Sequence, residues 1–139
     1  MSVAGERTLT GRCACGAVAF ALRPPLRPVI FCHCGQCRRH GTHFAAFSSV
    51  PADALSWQDT RGLRWYRSSS FAERGFCAEC GCALFYRQLD SSDISVSAGC
   101  LEPQDVLRAQ SHIFLVDKPA WYAVDDGLPG FEVDDPEDV

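Results

Sequence analysis

The residues with the clearest chemical potential are cysteines, nine of them in a chain of 139. They run Cys13-x-Cys15, Cys32-x-Cys34-x-x-Cys37, Cys77-x-x-Cys80-x-Cys82 and then Cys100. Thiols at i and i+2 of an extended chain face the same way. A C-x-x-C turn folds two sulfurs around one ion, and a following small residue relieves the backbone. Gly16, Gly35 and Gly81 each stand directly after a cysteine of these clusters. Disulfides are the poorer reading, because an odd count cannot pair completely. The start MSVAGERTLTGRC holds no secretory apolar run, so a reducing, cytoplasmic compartment is expected. Two zinc ions fit the arithmetic. Cys13 and Cys15 with Cys77 and Cys80 make a closed four-thiolate site, the arrangement of a structural zinc. Cys82 is an alternative ligand in that set. Cys32, Cys34 and Cys37 supply three thiolates and leave one position open, as at a catalytic zinc.

The neighbours of the open site extend this reading. Zinc with three thiolates carries one negative charge. Arg38 and Arg39 follow directly and can offset it or hold an anionic ligand. His40 and His43 lie close enough in sequence to line the open site. His33 sits between two ligands, and in an extended segment its ring points away from the metal. His112 opens an apolar run, which suits a structural role.

Short strands must position these residues. Leu9–Cys13, Ala17–Leu22, Val29–Phe31, Phe44–Val50, Leu55–Trp57, Leu63–Arg67, Phe71–Cys77 and Ala83–Gln88 are β-prone segments. Ile94, Val96 and Ala98 alternate with Ser95 and Ser97, the pattern of a half-buried strand. Ile113–Val116 is expected to be the last core strand. RPPLRP at 23–28 reads as a turn or an edge crossing. One helical turn each is expected at 36–40 and 103–107. The class is mainly β, in a single domain over 1–131. Residues 132–139 are expected to form an acidic, flexible tail. From Asp125 onward there are seven acids and no base. The net charge of the whole chain is -4, so the body carries +3. Acidity and a single lysine, Lys118, argue against a nucleic-acid partner. No segment approaches the roughly 18 apolar residues of a membrane span.

GRCACGAV, FCHCGQCRR and FCAECGCALF, together with HIFLVDKPAWYAVDDGLPGF, resemble the glutathione-dependent formaldehyde-activating enzyme family, which is related to centromere protein V. The resemblance spans roughly Thr10 to Phe131 and implies a compact zinc-containing Mss4-like fold of short antiparallel strands. By the same resemblance, Cys13, Cys15, Cys77 and Cys80 match the structural zinc ligands. Cys32, Cys34 and Cys37 match the site near glutathione. The implied activity is that of a carbon–sulfur lyase acting on the adduct of glutathione, or a similar thiol, with formaldehyde or another small aldehyde. Arg38, Arg39 and Arg74 are then candidates for glutathione's carboxylates, and His40 or His43 for moving a proton. Cys82 and Cys100 stand where the family often has Thr or Ser, and His40 and His43 where it has small residues. Two other classes share the cysteine pattern. A non-catalytic zinc module would bind protein or nucleic acid through its surface. A thiol or sulfoxide reductase would need a reversible dithiol.

Overall fold

A computed structural model describes residues 7–136. Among the described residues, eleven strands form two sheets. The first holds β1 (Leu9–Arg12), β2 (Ala19–Leu22), β5 (Leu55–Asp59) and β10 (Leu101–Glu102), in the order β10-β1-β2-β5. The second holds β3 (Arg27–Cys32), β4 (Ala45–Pro51), β6 (Leu63–Arg67), β7 (Ala72–Cys77), β8 (Ala83–Gln88), β9 (Asp93–Ser97) and β11 (Ala109–Ile113). Its order is β11-β3-β4-β9-β8-β7-β6. The helix α1 (Gly35–Gly41) follows β3 directly. No helix among the described residues is long and apolar enough to cross a membrane.

Period-two patterning explains the core. In β1, Leu9 and Gly11 are buried while Thr10 and Arg12 are exposed. In β9, Ile94 and Val96 turn inward as their alternation requires. Leu9, Phe20 and Leu22 of the first sheet meet Leu84, Phe85 and Val96 of the second. The Phe20 and Phe85 rings lie 5.0 Å apart at a tilt, and Trp57 meets Phe85 edge-on at 5.2 Å. Each such side chain, fully buried, contributes about 1.5–3 kcal/mol of hydrophobic stabilisation.

The structure corrects four expectations. The strand pairs are antiparallel with one exception, because β11 runs parallel to β3. The last core strand is Ala109–Ile113, not Ile113–Val116. Phe114 adopts a left-handed backbone (φ 57°) that ends the strand, and Leu115–Asp117 form a 3-10 turn. The segment AQSHI looks polar, yet Ser111 and His112 are buried because each finds a side-chain partner. The proline-rich stretch also contributes more strand than expected, since β3 already begins at Arg27.

The fourth correction concerns the tail. Residues 129–133 run beside β11 and the turn that follows it. The amide of His112 donates to Pro129, Phe131 to His112, Leu115 to Phe131, Val116 to Glu132 and Phe114 to Val133. Asp135 is 3% exposed and accepts the Ser111 hydroxyl at 2.8 Å and the Gln110 amide at 3.2 Å. The segment therefore covers an edge that would otherwise offer unpaired backbone groups. Residues 137–139 of the expected tail lie outside the described residues. Truncation after Phe131 is expected to cost about 2–4 kcal/mol, from two backbone bonds and a charge-assisted pair of bonds to Asp135. Denaturant midpoints of the two chains measure this. An unchanged midpoint would show that the docking contributes nothing.

Candidate metal and active site

Two tight turns build the first cluster. Between β1 and β2, the Cys13 amide donates to Val18 and the Gly16 amide to Cys13. After β7, the Gly81 amide donates to Cys77 at 2.7 Å and the Cys77 amide to Cys82 at 3.0 Å. Gly16 (φ 85°) and Gly81 (φ 80°) take the left-handed conformation that lets each turn close. The turns come from different sheets, so their meeting fastens one sheet to the other. The four Sγ atoms of Cys13, Cys15, Cys77 and Cys80 all lie within 4.8 Å of one another. Cys13 to Cys15 is 3.7 Å and Cys15 to Cys77 is 3.8 Å. Zinc–sulfur bonds of about 2.3 Å in a tetrahedron place sulfurs about 3.8 Å apart, so these donors fit zinc in type and spacing. Cys13 is 1% exposed and Cys77 is fully buried. Burial raises the Cys13 thiol, but the Val18 amide, 3.3 Å from its Sγ, helps bring it below its ordinary value. Hydrogen bonds from the Cys82 backbone and its surroundings pull Cys80 down to about 6. Both shifts favour the thiolates that a metal requires. Cys82 lies apart from this set, 3.6 Å from Cys100. Burial, then Cys82, pushes the Cys100 thiol up to about 12.

The second cluster forms where β3 passes into α1. Cys32 ends the strand, Cys34 caps the helix and Cys37 lies in its first turn. Their three Sγ atoms also fall within 4.8 Å of one another. The Cys37 amide donates to Cys34 Sγ at 3.3 Å. The neighbouring Cys32 and Cys37 thiols, with the Cys37 and Gln36 backbone, hold Cys34 down to about 2. One thiolate is thus stabilised before any metal binds. The Cys34 thiol, then the Cys37 thiol and burial, drive Cys32 strongly upward. The donor set fits zinc with three protein ligands and one further position.

Arg74, from the middle of β7, is the arginine against this cluster. It is 8% exposed, and its guanidinium Nη2 lies 3.5 Å from Cys37 Sγ. Its Nε donates to Gln36 Oε1 at 2.9 Å, and its cationic carbon sits 5.1 Å from the Tyr86 ring centroid. A buried cation held on three sides offsets the charge of the thiolates. Arg38 is half-buried, whereas Arg39 is exposed and turns back to the Gly35 carbonyl at 3.4 Å. His40 lies beside Tyr66, 6.1 Å between ring centroids. Desolvation, then the Arg74 charge, lowers its pKa, so it is held neutral.

His43 goes elsewhere. Its ring contacts Phe44 at 4.6 Å, Trp121 at 4.6 Å and Tyr122 at 4.5 Å. His33 joins the same aromatic group, 4.8 Å from Phe44, and is fully buried. The strand alternation that directs Cys32 and Cys34 to one side sends His33 to the other. There His33 Nε2 meets His112 Nδ1 at 2.8 Å, and His112 Nε2 meets Asp126 Oδ2 at 2.8 Å. An ionised carboxylate only accepts, so His112 Nε2–H donates to it. With Nε2–H engaged by Asp126, His112 Nδ1 and His33 Nε2 share the second hydrogen bond of the chain. Burial, then His112, lowers the His33 pKa to about 4. In the sequence Asp126 is only one of the seven acids from Asp125 onward. Fourteen residues separate it from His112, and no local spacing signals the pair. Gln36 was likewise missed as the partner that orients Arg74.

Comparison with known proteins agrees with this architecture. An uncharacterized lyase of Schizosaccharomyces pombe is 28% identical over 127 residues, covering 90% of this chain and 91% of its own. A Halomonas elongata protein, provisionally named a glutathione-dependent formaldehyde-activating enzyme, is also 28% identical over 127 residues, covering 84% of this chain and 81% of its own. A crystal structure of a Rhodobacter sphaeroides protein superposes with a TM-score of 0.58 at 25% identity, covering 72% of this chain and 96% of that one. The model of the glutathione-dependent formaldehyde-activating enzyme family matches residues 8–117. A chain with two cysteine clusters in a mainly β fold, matched over most of its length by that model, belongs to the glutathione-dependent formaldehyde-activating enzyme family.

Proposed function

We propose that the chain is a zinc-dependent carbon–sulfur lyase-type enzyme that makes or breaks the adduct of a small thiol, glutathione in the first instance, with formaldehyde or another small aldehyde. The observation that carries this reading is the three-thiol cluster of Cys32, Cys34 and Cys37 with the buried Arg74 guanidinium 3.5 Å from Cys37 Sγ. A zinc ion bound by those thiols would supply a Lewis-acid position that favours a thiolate or polarises a carbonyl.

The chain's own groups have separable tasks. Arg74 balances the thiolate charge and favours the ionised form of a thiol brought alongside. Gln36 and Tyr86 keep the guanidinium from swinging away. Neutral His40 can accept the proton that the thiol loses and return it to the oxygen of the hemithioacetal. Arg38 and Arg39, one turn along α1, are suited to the carboxylates of a peptide-like thiol. Atoms balance in either direction: the S–H and C=O of the reactants become the C–S and O–H of the adduct. His43, withdrawn among aromatic rings, would shape the neighbouring surface and take no part in proton transfer.

Exchange spectroscopy of glutathione with formaldehyde, with the uncatalysed reaction subtracted, tests the proposal. The expected result is an adduct exchange rate that rises in proportion to protein and falls to background after chelation. Background rates with glutathione and a series of small aldehydes, from metal-loaded protein, would overturn it.

A further inference from the structure

Seven of the nine cysteines build the two clusters, and Cys82 and Cys100 remain. They are brought together by register. The β8–β9 ladder pairs Phe85 with Val96 and Tyr86 with Ser95. Antiparallel pairing advances one strand as it retreats along the other, so residues just before β8 meet those just after β9. The Ser97 hydroxyl fixes this end by donating to the Ala83 carbonyl at 2.9 Å. A 3-10 turn over Ala98–Cys100 then curls Cys100 back toward Cys82. The two Sγ atoms lie 3.6 Å apart, in van der Waals contact, and both side chains are half-buried thiols. Both sulfurs also rest against one carbonyl, that of Ala83, at 3.7 and 3.9 Å. A disulfide needs sulfurs about 2.05 Å apart, and rotation of the two χ1 angles is the motion that closes such a gap.

We propose that Cys82 and Cys100 form a dithiol–disulfide site that exchanges with small soluble disulfides, glutathione disulfide being the representative substrate. The thiolate of one cysteine attacks a sulfur of the small disulfide, breaks its S–S bond and expels one small thiolate. The second cysteine gives up its proton and attacks the mixed disulfide. The Cys82–Cys100 bond forms and the second small thiolate leaves. The chain loses two protons and two electrons, and the small disulfide becomes two thiols. Thiols held by a metal are withdrawn from this exchange until the metal departs, so the free pair reacts first. The cross-link would join the metal-bearing turn after β7 to the start of β10, because the Cys82 carbonyl already accepts the Cys77 amide. The site stands apart from the lyase reading, and its test reads the thiols of the chain, not turnover.

Reduced, metal-loaded full-length chain is incubated with glutathione disulfide without oxygen. Intact mass, a non-reducing peptide map and metal content are then measured. The expected product has lost two hydrogens, carries a Cys82–Cys100 linkage and keeps its metal. Cys82→Ser and Cys100→Ser should each stop at a single glutathione adduct on the remaining partner. Three outcomes overturn the proposal: both thiols still free to alkylation, a persistent mixed disulfide on the wild-type chain, or a cross-link within Cys13, Cys15, Cys77 and Cys80 with metal release. If either variant fails to fold, the wild-type map alone decides.

Discussion

Cys37→Ser is expected to bind one metal ion fewer, stay folded and lose at least about 10–100-fold in glutathione-dependent turnover. The magnitude is a floor, because that factor already follows when only a metal's outer support is disturbed. Two independent features point to Cys37. It completes the three-thiol cluster, and it is the sulfur that the Arg74 guanidinium contacts. A serine hydroxyl is a far weaker ligand than a thiolate and gives Arg74 no anion to balance. The fold should survive, because the four-thiol cluster and the inter-sheet core involve other residues. The melting shift should correspond to no more than about 2 kcal/mol, the ordinary range for a buried substitution. Metal content, melting and adduct exchange must be read together. Full turnover with one metal lost would end the catalytic assignment. Loss of fold instead would make the second site structural.

Cys13→Ala should have a different and larger effect on stability. Structural zinc sites of this donor type contribute about 10–16 kcal/mol of binding free energy in small zinc domains, as much as the whole stability of many domains. Cys13 is buried in the β1–β2 turn, where the first sheet meets the second, and its sulfur also accepts the Val18 amide. Truncation removes a ligand, leaves a small cavity and strips that amide of its partner. Low soluble yield and an early, broad melting transition are the expected result, with the three-thiol site retaining metal in whatever folded chain is recovered. A normally stable Cys13→Ala chain with two metals would show that the ligand set is wrong, and Cys82 would be the first replacement to examine.

The chemistry-bearing residues were more legible in the sequence than the elements that hold them. C-x-C and C-x-x-C spacings are local, and local geometry brings each pair of sulfurs together without knowledge of the fold. The partition into four and three thiols came from counting ligands, with Cys82 left open as an alternative, and the structure brings the same groups together. β9 was readable for a similar reason, since its alternation is uninterrupted. Arg74 came into view only through a family resemblance, because 37 positions separate it from Cys37 and a cross-strand approach leaves no spacing signature. β11 was misplaced because its buried polar residues are satisfied by partners from distant segments, a condition that no hydropathy pattern records. Asp126 and Asp135 were hidden by composition. Among seven acids they look like solvated charge, yet one ends a histidine chain and the other anchors the segment beside β11.

The parallel pairing of β3 with β11 has a consequence for biosynthesis. As the chain leaves the ribosome, the turns bearing Cys13 and Cys80 both emerge before β11 does. A metal ion can then close a loop of more than sixty residues and lower the entropy still to be lost. The strand that carries Cys32 gains its β4 neighbour early, but the strand on its other flank lies nearly eighty residues further on. Long-range parallel pairings form slowly. The nascent protein therefore passes through an interval in which its structural clasp is shut while one side of the Cys32 strand is still bare. Chains released prematurely by truncation or stalling would emerge in that half-built form, with an open sheet edge beside reactive thiols.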